Sequence, residues 1–267
     1  MLSIKSMFLL GGITLLVSCT SGPLTINLTN TLDVSRQNET VEIDIYDLPQ
    51  NMVSMIERVG VYDPSEGLFL TTQLIDLDKD GQMDQLIFQP ELAAKSSKIY
   101  HIIEHLEKET DVKYCYSRFV PSRIDDYTWE NNRVAFRTYG PAAQDLIENG
   151  QKGGIISSGI DCWLKRVDYP VIDKWYKASE EEGISYHEDH GEGLDNYHVG
   201  ISRGAGGLSI KGADDQYFVS KNFTAYNTIS NGPLRTIFQL DYADWDGPDG
   251  KIKEQKTISL DYGNNLM

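Results

Sequence analysis

Phe223-Thr224-Ala225-Tyr226-Asn227-Thr228-Ile229 and Leu234-Arg235-Thr236-Ile237-Phe238-Gln239-Leu240-Asp241-Tyr242-Ala243, separated across Asn231-Gly232-Pro233, decide the fold class. Both runs are strand-length and rich in β-branched and aromatic residues, and the break between them holds residues that favour turns. The same grammar extends outward, with Asp214 to Val219 before this pair and Ile252 to Tyr262 after the turn Asp246-Gly247-Pro248-Asp249-Gly250. Further upstream, Leu24 to Asn30 and Thr40 to Tyr46 alternate apolar and polar residues around a turn at Asp33 to Asn38, which predicts a hairpin or sheet edge. Leu68 to Leu77, Gln82 to Phe88, Ser96 to His105, Lys113 to Val120 and Asn132 to Tyr139 read as further strands, while Pro121 to Glu130 interrupts the pattern. Helix is expected only over Ala142 to Asn149 and Val171 to Glu182. The sum is an all-β chain, a large antiparallel sandwich or barrel occupying 24–267 as one domain. The strand at Ile258 to Asp261 is followed within a few residues by Met267, so the chain is expected to be shorter than its natural domain.

The first residues carry a different signal. Lys5 precedes an apolar stretch from Met7 to Val17 that is too short for a permanent membrane span, closed by Leu16-Val17-Ser18-Cys19. This resembles a bacterial lipoprotein leader over 1–18, with Cys19 as the acylated residue and 19–23 as a tether, and so implies lipid anchoring in the cell envelope, in the periplasm or at the outer membrane. Beyond Cys19 only Cys115 and Cys162 remain, and their apolar surroundings predict two buried thiols. The chain carries 24 Lys+Arg against 40 Asp+Glu, a formal charge of -16, which argues against nucleic acid as a partner. An anionic ligand would need a local cationic pocket.

Chemistry concentrates between Tyr186 and Gly207, where His187, His190 and His198 are three of the five histidines. Among glycines that free the backbone stand Glu188, Asp189, Glu192, Asp195, Tyr186, Tyr197 and Arg203, so the stretch is expected to be a loop lining a site. His187 and His190 have a spacing that permits one metal ion, with Asp189 or a neighbouring carboxylate as a further ligand, and zinc is the natural candidate for such a set. A second metal candidate is the acidic turn Asp76-Leu77-Asp78-Lys79-Asp80-Gly81 with Asp84, whose alternating carboxylates before a glycine resemble the front half of a calcium loop. Ile87 occupies the position where such a loop carries its bidentate glutamate. Cationic side chains for a substrate are offered by Arg133 and Arg137, expected on one face of a strand, and by Lys165 and Arg166; Trp163 is a candidate for stacking on a sugar ring.

Trp129 to Arg137, Gly159 to Tyr176, Tyr186 to Gly207 and Asn231-Gly232-Pro233-Leu234-Arg235 together resemble a bacterial family first catalogued as a domain of unknown function, with members in polysaccharide-degradation gene clusters. The resemblance implies a β-supersandwich similar to galactose mutarotase. It also implies work on acidic oligosaccharides, at least one relative resembling a dehydratase of terminal uronic acids. Elimination across C4 and C5 of a uronate needs a cation for the carboxylate, a base for the C5 proton and an acid for the departing oxygen. Arg203, helped by Arg166 or Lys165, could supply the first, His187 or His198 the second, and Tyr197 or Tyr186 the third. Two alternatives stand beside this: hydrolysis by a pair among Glu188, Asp189, Glu192 and Asp195, and a binding lipoprotein without turnover in which Trp129, Trp163, Trp175 and Tyr197 stack on sugars.

Overall fold

Alternating burial along β2 (Leu24–Thr29) sends Leu24, Ile26 and Leu28 inward, as the period-2 pattern requires. The computed structural model describes residues 16–18, 23–106, 113–200, 203–213 and 215–265. Cys19, and most of the expected leader and tether, lie outside those residues. Two compact units are formed, Met1–Val112 and Lys113–Met267. Every named strand pair in both is antiparallel, so the all-β expectation holds.

In the first unit, β1 (Leu16–Ser18), β2, β4 (Val59–Asp63), β5 (Leu68–Leu70) and β8 (Ser97–Glu104) make one sheet in the order β1-β2-β8-β4-β5. β3 (Val41–Asp44), β6 (Thr72–Ile75) and β7 (Gln85–Phe88) make another, β3-β7-β6. Side chains of both, among them Ile26, Val61, Tyr100, Ile43 and Phe88, share one core, a sandwich-like packing. Of the hairpin or sheet edge expected over Leu24 to Asn30 and Thr40 to Tyr46, the hairpin does not form, since β2 pairs with β8 and β3 with β7, while β3 does lie at the edge of its sheet. The turn between them spends its hydrogen bonds elsewhere, with Asn30 donating to the carbonyls of Val34 and Ala93. The expected acidic hairpin does form, joining β6 to β7.

In the second unit, β9 (Tyr116–Val120), β10 (Asp126–Glu130), β11 (Val134–Thr138), β12 (Ile160–Lys165) and β13 (Gly193–Asp195) form a five-stranded sheet in the order β13-β12-β11-β10-β9. After the hairpin of β14 (Ser209–Lys211) and β15 (Tyr217–Val219), β16 (Phe223–Ser230), β17 (Arg235–Tyr242) and β20 (Gln255–Asp261) form a second sheet, and β18 (Trp245–Gly247) pairs with β19 (Gly250–Ile252). The strand at Asp126 to Glu130 lies where the sequence pattern broke, because Asp126, Thr128 and Glu130 alternate with Tyr127 and Trp129 but are themselves buried.

Registers explain that oddity. Tyr127, Trp129, Phe136 and Ile160 face Phe223, Phe238, Leu240 and Leu260 of the three-stranded sheet, and this is the apolar heart of the sandwich. On the opposite face, cross-strand neighbours are Thr128, Arg137 and Asp161 in one row, and Glu130, Ala135, Trp163 and Asp195 in the next. One side of the sheet is oily and the other is charged. The charged side is covered by α3 (Ile172–Lys177), whose Trp175 and Tyr176 pack with Trp163 and Tyr186. Glu130 fixes that helix by accepting from the amides of Val171 and Ile172, while Lys165 donates to the same carboxylate at 2.8 Å. A π-helical turn over Ala178–Glu182 follows, and α2 (Pro141–Glu148) forms near the expected span.

Candidate functional site

The stretch expected to be a loop is broken by β13, which pairs Asp195 with Trp163 at the sheet edge. Gly193 makes this possible: its φ is +120°, and a Cβ there would meet the Leu164 carbonyl oxygen at 2.0 Å. Tyr186 to Glu192 run up to this short strand, and the Asp195 amide donates to the Tyr186 carbonyl at 2.9 Å, closing the bend. Residues after it carry Tyr197 and His198 back along the rim.

Between these segments and the charged face of the sheet lies a cavity of ≈ 330 Å³. Its walls include Arg123, Arg137, Tyr139, Tyr186, His187, Tyr197 and His198, with Asp126 and Asp161 at its base. Arg137, only 12% exposed, is the hub. Its Nε donates to Asp161 Oδ2 at 2.8 Å, its Nη1 lies 3.6 Å from Asp126 Oδ2, and its Nη2 lies 3.5 Å from Asp195 Oδ2. Tyr176 donates to Asp126 and Tyr139 to Asp161. Among the described residues the remaining oxygen of each carboxylate, Oδ1, meets no donor.

Three buried acids on one guanidinium leave negative charge in excess, and the acids respond. Burial pushes Asp126 up to about 6, against the pull of Arg137 and Tyr176. Burial and the neighbouring Asp161 push Asp195 up to about 6 as well, with Arg137 and His187 opposing. Unfolded aspartates titrate near ~3.9. From about pH 4 to about pH 6 the folded chain therefore holds more protons at these sites than the unfolded one, and their contribution to stability falls as pH rises through that window. Asp126→Asn has no proton to lose there. Its stability relative to the parent is expected to rise between pH 4 and pH 7 in urea titrations at stepped pH, and parallel curves would refute the assignment.

His187 sits against this cluster. Its Nδ1 lies 3.2 Å from the Asp195 carbonyl and 3.4 Å from Asp195 Oδ2. Both neighbours only accept, so Nδ1 carries the proton and a neutral ring keeps Nε2 bare. The ring stays half open to the cavity, with 51% of its side chain exposed. The Tyr186 ring lies tilted beside it at 4.6 Å between centroids, and its hydroxyl accepts from both Arg123 and Arg137. Arg123 forms no ion pair with a described carboxylate; it donates to that hydroxyl, lies over the faces of Tyr176 and Tyr186, and its charge acts on Asp126, whose carboxyl it pulls down.

Other residues singled out in the sequence stand elsewhere. His190 donates from Nε2 to the Ser185 carbonyl and lines a neighbouring cavity, while Asp189 accepts from Gly191 and pairs with Arg166 at 2.8 Å. His187, His190 and Asp189 therefore do not converge as metal ligands. Lys165 is fully buried on Glu130 and unavailable to a substrate. Arg133 precedes β11 in an exposed turn, so it does not share a strand face with Arg137. Arg203 lines a separate cavity with Ser157, Ser209 and Tyr217 and donates to the Ile156 carbonyl. Trp129 and Trp163, at 0% and 1% exposure, are core residues, and Trp175 donates to Glu192. Cys115 is a buried free thiol, and Cys162 is a half-buried one.

The acidic turn of the first unit does bring ligands together. Asp76, Asp78 and Asp84 each present an oxygen within 4.8 Å of the others, a set that could hold one divalent cation, and all-oxygen ligands suit Ca²⁺. Asp80 is outside the set and accepts from Gln82. These carboxylates also accept backbone amides of their own turn, Asp76 from Lys79 and Gly81 and Asp84 from Leu77.

Asp126, Asp161 and Arg123 were not anticipated. Asp161 stood in a stretch read for Cys162, Trp163, Lys165 and Arg166 and was given no role, and Arg123 was part of the segment that interrupted the strand pattern.

Comparison with known proteins adds a lineage. Residues 28–267 match a family described as a domain of unknown function, DUF4861. A protein of Formosa agariphila described as uncharacterized protein P7 is 51% identical over 244 residues, covering 90% of this chain and 61% of that protein. The chain thus spans about three-fifths of the curated relative's length. No solved structure matches. Among the described residues no helix is long and apolar enough to cross a membrane.

Proposed function

The chain belongs to the DUF4861 family, and from that premise we propose that it is an exported bacterial carbohydrate-active enzyme that eliminates across C4 and C5 of a uronic acid in an oligosaccharide. Export and anchoring through Cys19 rest on the leader-like sequence. The observation that carries the chemistry is Arg123, a guanidinium on the cavity wall with no ion-pair partner among the described residues, beside the Tyr186–His187 pair. A substrate carboxylate would supply the direct charge-assisted partner that Asp126, which Arg123 influences without an ion pair, does not.

The roles follow from position. Arg123 holds the substrate carboxylate and so acidifies the C5 proton. His187 takes that proton on Nε2, while Asp195 holds the opposite nitrogen and steadies the imidazolium. The electrons of the C5–H bond form the C4=C5 double bond as the C4–O bond breaks. Tyr197, half exposed on the rim, donates its hydroxyl proton to the departing oxygen. Proton transfer from His187 to the phenolate through solvent then restores both groups.

Hydrolysis by two carboxylates fits less well. Hydrogen bonds from Lys174 and Tyr169 hold Glu192 down to about 2, far below the range of a general acid, and Asp195, raised to about 6, has a fully buried side chain that does not reach a glycosidic oxygen. The binding reading loses the tryptophan platforms it relied on, since these are core or helix-packing residues.

Incubation with saturated uronate oligosaccharides is expected to produce the absorbance of a conjugated C4=C5 bond. Arg123→Ala should raise KM about 10- to 100-fold, the scale of one charge-assisted contact. Absence of product with every acidic saccharide tried would count against elimination, and an unchanged KM would remove Arg123 from the carboxylate site.

A further inference from the structure

A second cavity of ≈ 510 Å³ lies on the other flank of the bend from Ser185 to His190. Tyr186 belongs to the walls of both cavities, so the two are separated by little more than one side chain and its neighbours. The volume is within the range of small-molecule sites, roughly 300–1,000 Å³.

Its chemistry differs from that of the first. Lys174 is neutralised by Glu192, and Lys177 faces Glu181, so neither is a spare cation comparable with Arg123. His190 gives its Nε2 proton to the Ser185 carbonyl, which leaves Nδ1 as an acceptor in the neutral ring. The rest of the wall combines Trp175, Ala178 and the exposed Ile184 with Glu182 and Glu188, carboxylates that form no ion pair among the described residues. Apolar surface beside acceptors for sugar hydroxyls matches a pyranose with uncharged substituents, and the unpaired Glu182 and Glu188 would repel a second carboxylate.

We propose that this cavity is a subsite for a neutral sugar adjoining the acidic unit held at Arg123, so that the preferred ligand is an oligosaccharide in which a uronate neighbours an uncharged residue. The inference rests on the elimination reading only for the identity of the acidic unit. Two adjacent cavities of opposite character would read the substrate as a pair.

The test is calorimetric. The His187→Ala protein, in which turnover is blocked, is titrated with a uronate monosaccharide, with disaccharides joining a uronate to a neutral sugar in either order, and with a uronate homodisaccharide. One mixed disaccharide is expected to bind at least about tenfold tighter than both the monosaccharide and the homodisaccharide, since a further sugar ring buries additional apolar surface. Ile184→Trp, which fills the second cavity from an exposed position, should bring the mixed-to-mono affinity ratio towards one, and Ala178→Trp serves as a second occluding variant. Thermal melts confirm folding of each. A ratio that persists in both folded variants overturns the subsite, as does equal or absent binding of the mixed disaccharides. Discrimination in binding without product from the parent protein would instead sink elimination and leave the subsite standing.

Discussion

Replacing Arg137 by Met is expected to destabilise the second unit by about 3–5 kcal/mol, the cost of stranding buried charge. Asp126, Asp161 and Asp195 all direct Oδ2 at this one guanidinium, and their other oxygens already lack donors among the described residues. Without the cation each acid must either stay ionised in a poor medium or take up a proton. The deficit should therefore shrink as pH falls, because protonation relieves what the missing charge no longer offsets. Arg137→Lys should recover only part of it, since an ammonium cannot fork towards three carboxylates. Urea titration of parent and variants measures the loss, and a cost below about 1 kcal/mol would show that the acids are held by something else.

His187→Ala is expected to cut turnover by about 10²- to 10⁴-fold, the span of a general base. The ring contributes little to packing, so the melting temperature should barely move; substitutions of exposed side chains usually fall within about 0.5 kcal/mol. Added imidazole should restore part of the rate, which a purely structural histidine would not permit. Asp195→Asn should lower kcat more than it raises KM, because it disturbs the base and not the carboxylate clamp. Initial rates on an acidic oligosaccharide decide the matter, and full activity in His187→Ala would move the base elsewhere, with His198 on the same wall as the next candidate.

The sequence announced strands clearly and their faces poorly. Ile160-Asp161-Cys162-Trp163-Leu164-Lys165 alternates as any half-exposed strand does, and its polar positions suggest contact with water or ligand. Here those positions are roofed by α3 and by the bend at Tyr186, contacts distant in sequence, so Lys165 and Trp163 turn out structural and Asp161 becomes the floor of a cavity. The histidines of the bend were read correctly as a cluster in the chain, but the bend points them different ways: His187 to Asp195, His190 to Ser185. A spacing of two residues says nothing about ring direction when the backbone between them turns. The acidic hairpin was more transparent, because its residues answer mainly to one another within nine positions.

β13 is only three residues long, yet it fastens both borders of the cavity at Arg137. Its upstream arm divides the two proposed sugar positions and its downstream arm carries the rim tyrosine and histidine. On the proposed reading, a ring that steadies the upstream arm would also bias the downstream one, and by reciprocity a filled reaction centre would tighten hold on the adjoining ring. Loading and reactivity would then share a single clasp.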